Sequence, residues 1–338
     1  MKLVHISDIH IHPVPILGLD PVASFAACLA HVEQYQADAD RIVVTGDLTH
    51  RGNPESYARL REMLAASPLK GRLAPRLLVG NHDSRANFLC AFPEAPRDAD
   101  GHVQWTEETP AGLFVYMDTA LEGSHAGHYG ADRRAWLAGV LEAAEAAGRP
   151  VWLFMHHNPV SVHVANADLI GIVEEAELRR LLARHRAVVR HIFFGHCHFT
   201  LSGAVDGIPF SAPRSTNHAC WPDFSGIASR MGYGELAPNY NVCFLSEAGT
   251  VIHSIDFLDE PKVRWLEETG AAGVHRSAAK PTACGKPARE CSKGSGAGSR
   301  ARKKLTGRLH CNILSSMSAR REVQPHGIRT RQRRRDPP

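Results

Sequence analysis

Seven oxygen- and nitrogen-bearing side chains recur in this sequence directly after short apolar runs: Asp8, His10, Asp47, Asn81, His156, His196 and His198. Carboxylate, carboxamide and imidazole donors without a thiolate suit divalent Mn, Fe, Zn or Co better than a structural zinc cage, which usually holds cysteines. Seven donors exceed the shell of one ion. If one carboxylate bridges, they become four per metal and leave positions for water and substrate, and paired ions about 3.5–4 Å apart suit in-line attack at phosphorus by a metal-activated hydroxide. Asp8 and His10 are two residues apart, as are His196 and His198, a spacing that in extended chain sends both side chains to the same side. Singly, each piece has a plainer reading. Asp-x-His after a strand is commonly a turn, and Gly80-Asn81-His82-Asp83 could be a tight turn with Asn81 left-handed. Their joint occurrence at successive strand ends is what structural convenience leaves unexplained.

The elements that must position these groups are legible as alternating apolar runs and amphipathic stretches. The runs are Leu3 to Ile6, Arg41 to Thr45, Arg76 to Val79, Leu113 to Met117, Val151 to Met155 and His191 to Phe194. Their length and Val, Ile, Leu and Phe content suit strands buried on both faces. Asp20-Pro21 and Asn53-Pro54 each set a capping residue before a proline at the first helical position. Phe25, Leu29 and Val32 then recur at helical spacing, as do Tyr57, Leu60 and Leu64; Trp136, Leu137, Val140 and Leu141; and Leu178, Leu181 and Leu182. Alternating strand and helix argue an α/β sandwich with helices packed on its sheet layers, whose strand carboxyl ends would gather the donors in one cleft. After His198 the pattern changes. Asp206-Gly207 precedes an Ile-Pro-Phe segment, and Asn241 to Leu245 faces Thr250 to Leu258 across Glu247-Ala248-Gly249, which predicts a second, antiparallel sheet.

Composition narrows the class. A chain of 338 residues that is 43% hydrophobic can bury a sizeable core. The N-terminus MKLVHISDIH lacks the pattern of a signal peptide, and no apolar run approaches the ~20 residues of a membrane-spanning helix. Cys28, Cys90, Cys197, Cys220, Cys243, Cys284, Cys291 and Cys311 are scattered without a Cys-x-x-Cys pair, as expected of reduced thiols in a cytoplasmic protein. The formal charge of +4 hides an asymmetry, since residues 270–338 hold 17 Lys and Arg against 3 Asp and Glu. The body is therefore acidic and advertises no nucleic-acid groove, whereas the basic tail could grip nucleic acid or an acidic surface. That tail is rich in Gly, Ser, Ala and Pro and is expected to be disordered, apart from a turn of helix near Leu309 to Met317. The reading is a catalytic domain over 1–262 and a tail over 270–338.

Asp8-Ile9-His10, Gly46-Asp47, Gly80-Asn81-His82-Asp83, His156 and Gly195-His196-Cys197-His198 resemble, in order, the five signature blocks of the calcineurin-like metallophosphoesterase superfamily. The phrase Phe154-Met155-His156-His157-Asn158-Pro159 is similar to class III cyclic nucleotide phosphodiesterases and bacterial glycerophosphodiesterases. The resemblance covers about residues 1–258. It implies a β-sandwich of two mixed sheets flanked by helices. It further implies two divalent ions per chain, one taking Asp8, His10, Asp47 and His198, the other Asp47, Asn81, His156 and His196, with Asp47 bridging. Within the substrate site it places Asn81, puts His82 near the reacting phosphate, where it could stabilise charge or protonate the leaving oxygen, and makes His218 a loop histidine lining the pocket. The substrate it implies is a small phosphodiester, a cyclic nucleotide such as cAMP or a glycerophosphodiester. His50 stands where the glycerophosphodiesterases carry asparagine, which weighs against a glycerol-type substrate. Asp83 or Asn158 could fix the tautomers of ligating histidines, Cys197 would point into the core, and His12, His125, His128, His157 and His163 carry no assigned role. A phosphomonoesterase, a nuclease, or a binding protein acting through the Arg-rich tail are the alternatives, and a homo-oligomer is compatible with the sequence.

Overall fold

The computed structural model describes residues 1–258, so the last residues of the expected domain and the whole basic tail, including Leu309 to Met317, lie outside the described residues. In chain order the elements are β1 (Lys2–Ile6), α1 (Pro21–Gln36), β2 (Arg41–Thr45), α2 (Pro54–Ala66), β3 (Arg76–Leu78), α3 (Arg85–Ala91), β4 (Trp105–Thr109), β5 (Gly112–Tyr116), α4 (Ala131–Ala146) and β6 (Val151–Phe154). They continue with α5 (Ala165–Asp168), α6 (Glu175–Arg184), β7 (Val189–Phe193), β8 (Leu201–Val205), β9 (Ile208–Ala212), β10 (Cys220–Trp221), β11 (Gly232–Tyr233), β12 (Asn239–Ser246) and β13 (Gly249–Asp256).

Two mixed sheets carry the site, in the orders β13-β12-β1-β2-β3 and β4-β5-β6-β7-β9-β8. Strands β1, β2 and β3 are parallel, as are β5, β6, β7 and β9. Strand alternation explains the layering. Leu3, Val43, Phe114, Phe154 and Phe193 form a core between the sheets, while Val4, Ile6, Ile42 and Val44 turn outward to a second core with Phe25 and Leu29 of α1 and Tyr57 and Leu60 of α2. Leu153, Ile192 and Phe194 meet Leu137 and Leu141 of α4 and Leu178 and Leu182 of α6 on the other outer face. The central strands of each sheet are thus buried on both sides, as the apolar runs require, while the edge strands β4, β8 and β13 are partly exposed.

The strands expected to make a second sheet after His198 do pair antiparallel, β8 with β9 and β12 with β13, but among the described residues only the short β10-β11 pair forms a sheet of its own. Instead β12 pairs antiparallel with β1, and β9 pairs parallel with β7 while β8 pairs antiparallel with β9, so the late strands widen both existing sheets. Hairpin signals fix local pairing and leave the third partner open. Asp20 caps α1 by accepting from the Val22 and Ala23 amides, whereas Asn53 makes no such bond at α2 and accepts from the Ser56 hydroxyl. Among the described residues no helix is long and apolar enough to cross a membrane.

Candidate metal centre

The strands stop short of the donors. β1 ends at Ile6 and β7 at Phe193, and Asp8, His10, Asp47, His196 and His198 all occupy loop positions with φ between 48° and 66°. The i, i+2 pairs therefore converge by left-handed turns, not by the extended geometry expected from the spacing. Cys197 does pack into the core, again from a turn.

Two groups of donor atoms result. In the first, His10 Nε2 lies 3.0 Å from His198 Nε2 and 3.5 Å from Asp47 Oδ2, and His198 Nε2 lies 3.3 Å from Asp8 Oδ1. In the second, Asn81 Oδ1 lies 2.9 Å from His156 Nε2 and 2.8 Å from His196 Nδ1, and His156 Nε2 lies 3.3 Å from Asp47 Oδ1. A carbonyl can only accept, so the ring nitrogen facing one carries the proton. The His156 Nδ1–H donates to Thr45 O at 2.8 Å and the His198 Nδ1–H to His218 O at 2.8 Å, which leaves both Nε2 lone pairs among carboxylate and amide oxygens. Converging acceptors of this kind fit a cation. Donor separations of 2.8–3.5 Å also match the edges, about 3.0–3.4 Å, of a shell with bonds of about 2.1 Å.

Electrostatics agree. Burial opposes ionisation of Asp8 and Asp47, yet His198 beside the one and His156 beside the other hold both carboxyls below the usual carboxylate range. Burial likewise opposes a charge on His156, but Asp47 and Asp8 push it up to about 9, and Asp8 raises His198 in the same way. The cluster attracts positive charge.

His82 sits beside both groups. Its amide donates to Asp47 Oδ1 at 2.9 Å, its Nδ1–H to His50 O at 2.8 Å, and its Nε2 lies 4.0 Å from Asp47 Oδ2. His218 packs its ring 4.8 Å from that of His10 and 4.4 Å from that of His198. Its loop is docked by the Ser215 hydroxyl on Asp8 O.

Three histidines reach the centre that sequence reasoning either left without a role or read only as a departure from relatives. His50 stacks on His82 at 5.1 Å, His125 Nδ1 lies 2.9 Å from Asn81 Nδ2, and buried His157 lies 4.6 Å from the His196 ring. One signal could have found His125: the loop after β5, a strand parallel to its neighbours, must also emerge at the carboxyl edge. Asp83 and Asn158 do not set ring tautomers. Asp83 accepts from the Leu48, Thr49 and Gly80 amides and the Tyr57 hydroxyl, and the Asn158 amide donates to Val160 O.

A buried carboxylate-and-histidine cluster at the strand ends of a two-sheet α/β sandwich defines a metal-dependent hydrolase. The chain belongs to the calcineurin-like phosphoesterase family, whose sequence model matches residues 1–199. It is 34% identical over 281 residues to a probable cyclic nucleotide phosphodiesterase of Rhodopseudomonas palustris, covering 82% of this chain and 99% of that relative. It is 31% identical over 264 residues to a cAMP/cGMP dual specificity phosphodiesterase of Mycobacterium tuberculosis, covering 75% of this chain and 78% of the other. A dimetal phosphatase from Danio rerio shares the fold, with a TM-score of 0.55 at 14% identity over 75% of this chain and 95% of that one. The expected phosphoesterase family and two-sheet architecture are met, and relatives named as phosphodiesterases support a diester hydrolase.

Proposed function

We propose that this chain hydrolyses small phosphodiesters with two divalent ions of the Mn, Fe, Zn or Co class. One would be held by Asp8, His10, Asp47 and His198, the other by Asp47, Asn81, His156 and His196. The observation that carries the reading is Asp47, whose Oδ2 faces His10 at 3.5 Å while its Oδ1 faces His156 at 3.3 Å, so one carboxylate serves both donor groups. Bound there, the ions would neutralise phosphate oxygens and acidify a water for in-line attack on phosphorus.

The chain's own residues do the rest. With Nδ1–H committed to His50 O, His82 turns Nε2 toward the cleft, where in its imidazolium form it could protonate the departing oxygen. His218 walls the side of the cleft next to His10 and His198. The groups surrounding the donors are the imidazoles of His50, His82 and His218, better suited to a monoanionic diester than an arginine fork reading a dianion. The relatives' names favour a cyclic nucleotide such as cAMP, and His50 weighs against a glycerophosphodiester. Turnover is assigned to residues 1–262 and none of it to the basic segment 270–338.

The test is ion content of the purified protein together with initial rates on cyclic nucleotides, glycerophosphodiesters and matched phenyl mono- and diesters. About two ions per chain and faster diester turnover are expected. Equal or faster turnover of the monoester would sink the diester reading, and full activity with one ion would remove the bridge.

A further inference from the structure

Among the proposed ligands, Asn81 alone can present either of two opposite groups to an ion. Its Oδ1 would ligate, whereas a half-turn about the side-chain amide puts Nδ2 in that place. Oδ1 stands 2.9 Å from His156 Nε2 and 2.8 Å from His196 Nδ1. With its Nδ1–H committed to Thr45 O, His156 has Nε2 as the nitrogen able to ligate. A turned amide would put an N–H donor where an ion needs an acceptor and could not bind metal. Something must hold the amide the productive way round.

The geometry points to His125 as that positioning residue: its Nδ1, 2.9 Å from Asn81 Nδ2, accepts the amide N–H and keeps Oδ1 directed at the second donor group. The inference rests on the two-ion reading above and deepens it. His125 has no donor role in either ion's proposed set, and its loop is anchored independently of Asn81. Gly127 N donates to Gly171 O at 3.0 Å, and the His157 ring spans from Thr119 Oγ1 at 2.8 Å to His125 O at 3.3 Å. The loop can approach that ring because residue 127 is glycine, since a Cβ there would lie 2.6 Å from His157 Cγ. His157, the neighbour of ligand His156, thus fixes the backbone that carries His125, and His125 fixes Asn81.

The size of the effect follows from population. His125 lies at the open mouth of the cleft, so water can replace its acceptor, and losing one such hydrogen bond changes the ratio of productive to turned Asn81 roughly three- to tenfold. Apparent affinity for the ion falls by up to the same factor, because it scales with the fraction of protein competent to bind.

The test titrates Mn(II) into the metal-stripped full chain, wild type, His125→Leu and His125→Gln, resolving two dissociation constants. One constant should rise in the Leu variant, by up to roughly tenfold, the other should hold, and the Gln variant, whose side-chain oxygen can accept the same N–H, should recover much of the loss. At saturating Mn(II) the Leu variant should regain wild-type kcat. Unchanged constants, an equal rise in both, or no recovery with Gln would each overturn the inference. So would a rate defect persisting at saturating Mn(II) with normal constants, which would assign His125 to the substrate. If the wild-type protein binds a single ion, the two-ion reading fails. The role of His125 then stands only if that one constant still responds to Leu and recovers with Gln.

Discussion

Replacing Gly80 with alanine adds one carbon, and its place in the structure makes the consequence calculable. A Cβ at Gly80 would fall inside contact distance of both the backbone nitrogen and Oδ1 of Asp47 and 2.8 Å from His156 Cε1. Gly80 is not among the glycines with positive φ, so alanine suffers no backbone penalty and the clash is the whole effect. Recovering an ordinary contact of about 3.5 Å requires Asp47 to retreat by roughly 1 Å, whereas metal–ligand distances tolerate only about 0.2 Å. Both donor groups should therefore lose ion affinity together, with an overpacking cost of about 1–3 kcal/mol in the metal-free fold. Gly139→Ala is the matched control. Gly139 lies within α4 with nothing within 4 Å of an added Cβ, so the same carbon should stabilise the protein by about 0.5–1 kcal/mol. Urea unfolding of the stripped proteins and ion titration of each variant provide the comparison. A Gly80→Ala protein that binds ions with wild-type affinity would refute the claim that close backbone approach holds Asp47. Instability with normal affinity would do the same, since the loops would then be moving as a unit.

Two further changes probe different links. His82→Ala should keep its ions yet slow alkoxide-releasing esters by roughly 10²–10⁴-fold, with a much smaller loss for a nitrophenyl ester that needs no proton; unchanged rates on both, at equal metal content, would remove His82 from the chemistry. His191, buried with Nε2 bonded to Ser211 Oγ at 2.9 Å, has its pKa pushed down to about 4 by burial, against about 6.5 in the unfolded chain. Between these values the unfolded chain binds more protons. Its contribution to stability is therefore complete above pH 6.5 and declines as pH falls toward 4, by about 3 kcal/mol in all. His191→Gln should flatten that part of the stability profile in urea titrations of metal-free protein, and an unaltered slope would show that another group titrates there.

What could be read from the sequence follows physical range. The inner-face alternation of Leu3, Val43 and Phe193 and the helical spacing of Phe25, Leu29 and Val32 are local and survive into the fold. Polar residues ending apolar runs indicated Asp8, Asp47 and His156 because strand ends in such sheets share one edge. The return of β12 to pair with β1, Leu3 opposite Cys243, spans nearly the whole described chain and leaves no periodic trace. The loop after β5 could be placed at that shared edge, but the contact of His125 with Asn81 was unreadable for a similar reason. That meeting depends on how the loop after β5 is anchored, through His157 and Gly171, and neither contact alters the pattern around residue 125. The backbone at Asp8 and His196 was misjudged because spacing alone cannot distinguish an extended pair from two left-handed residues.

Those left-handed residues explain how the centre is held. Among the described residues, five of the eight non-glycine positions with positive φ are Asp8, His10, Asp47, His196 and His198, each in a conformation that costs on the order of 1 kcal/mol. Backbone bonds offset it. Asp8 N donates to Gly46 O, His10 N to Asp47 O and Ile11 N to Leu48 O, so the loops after β1 and β2 go on pairing beyond the strands. The Asp83 carboxylate joins the second loop to the third through the Leu48, Thr49 and Gly80 amides, and the His196 amide reaches across to both oxygens of Asp8 at 3.1 Å, joining the two sheets. Asp83 bears a cost for that position: burial and the Asp47 charge push its carboxyl up to about 6. Positive charge at Asp47 relieves the second of these. A cation held at Asp47 would therefore be coupled to the integrity of these loops through Asp83, and stripping it should speed amide exchange at Leu48, Thr49 and Gly80 before exchange in the strands beneath them; unchanged exchange at those three amides would refute the coupling.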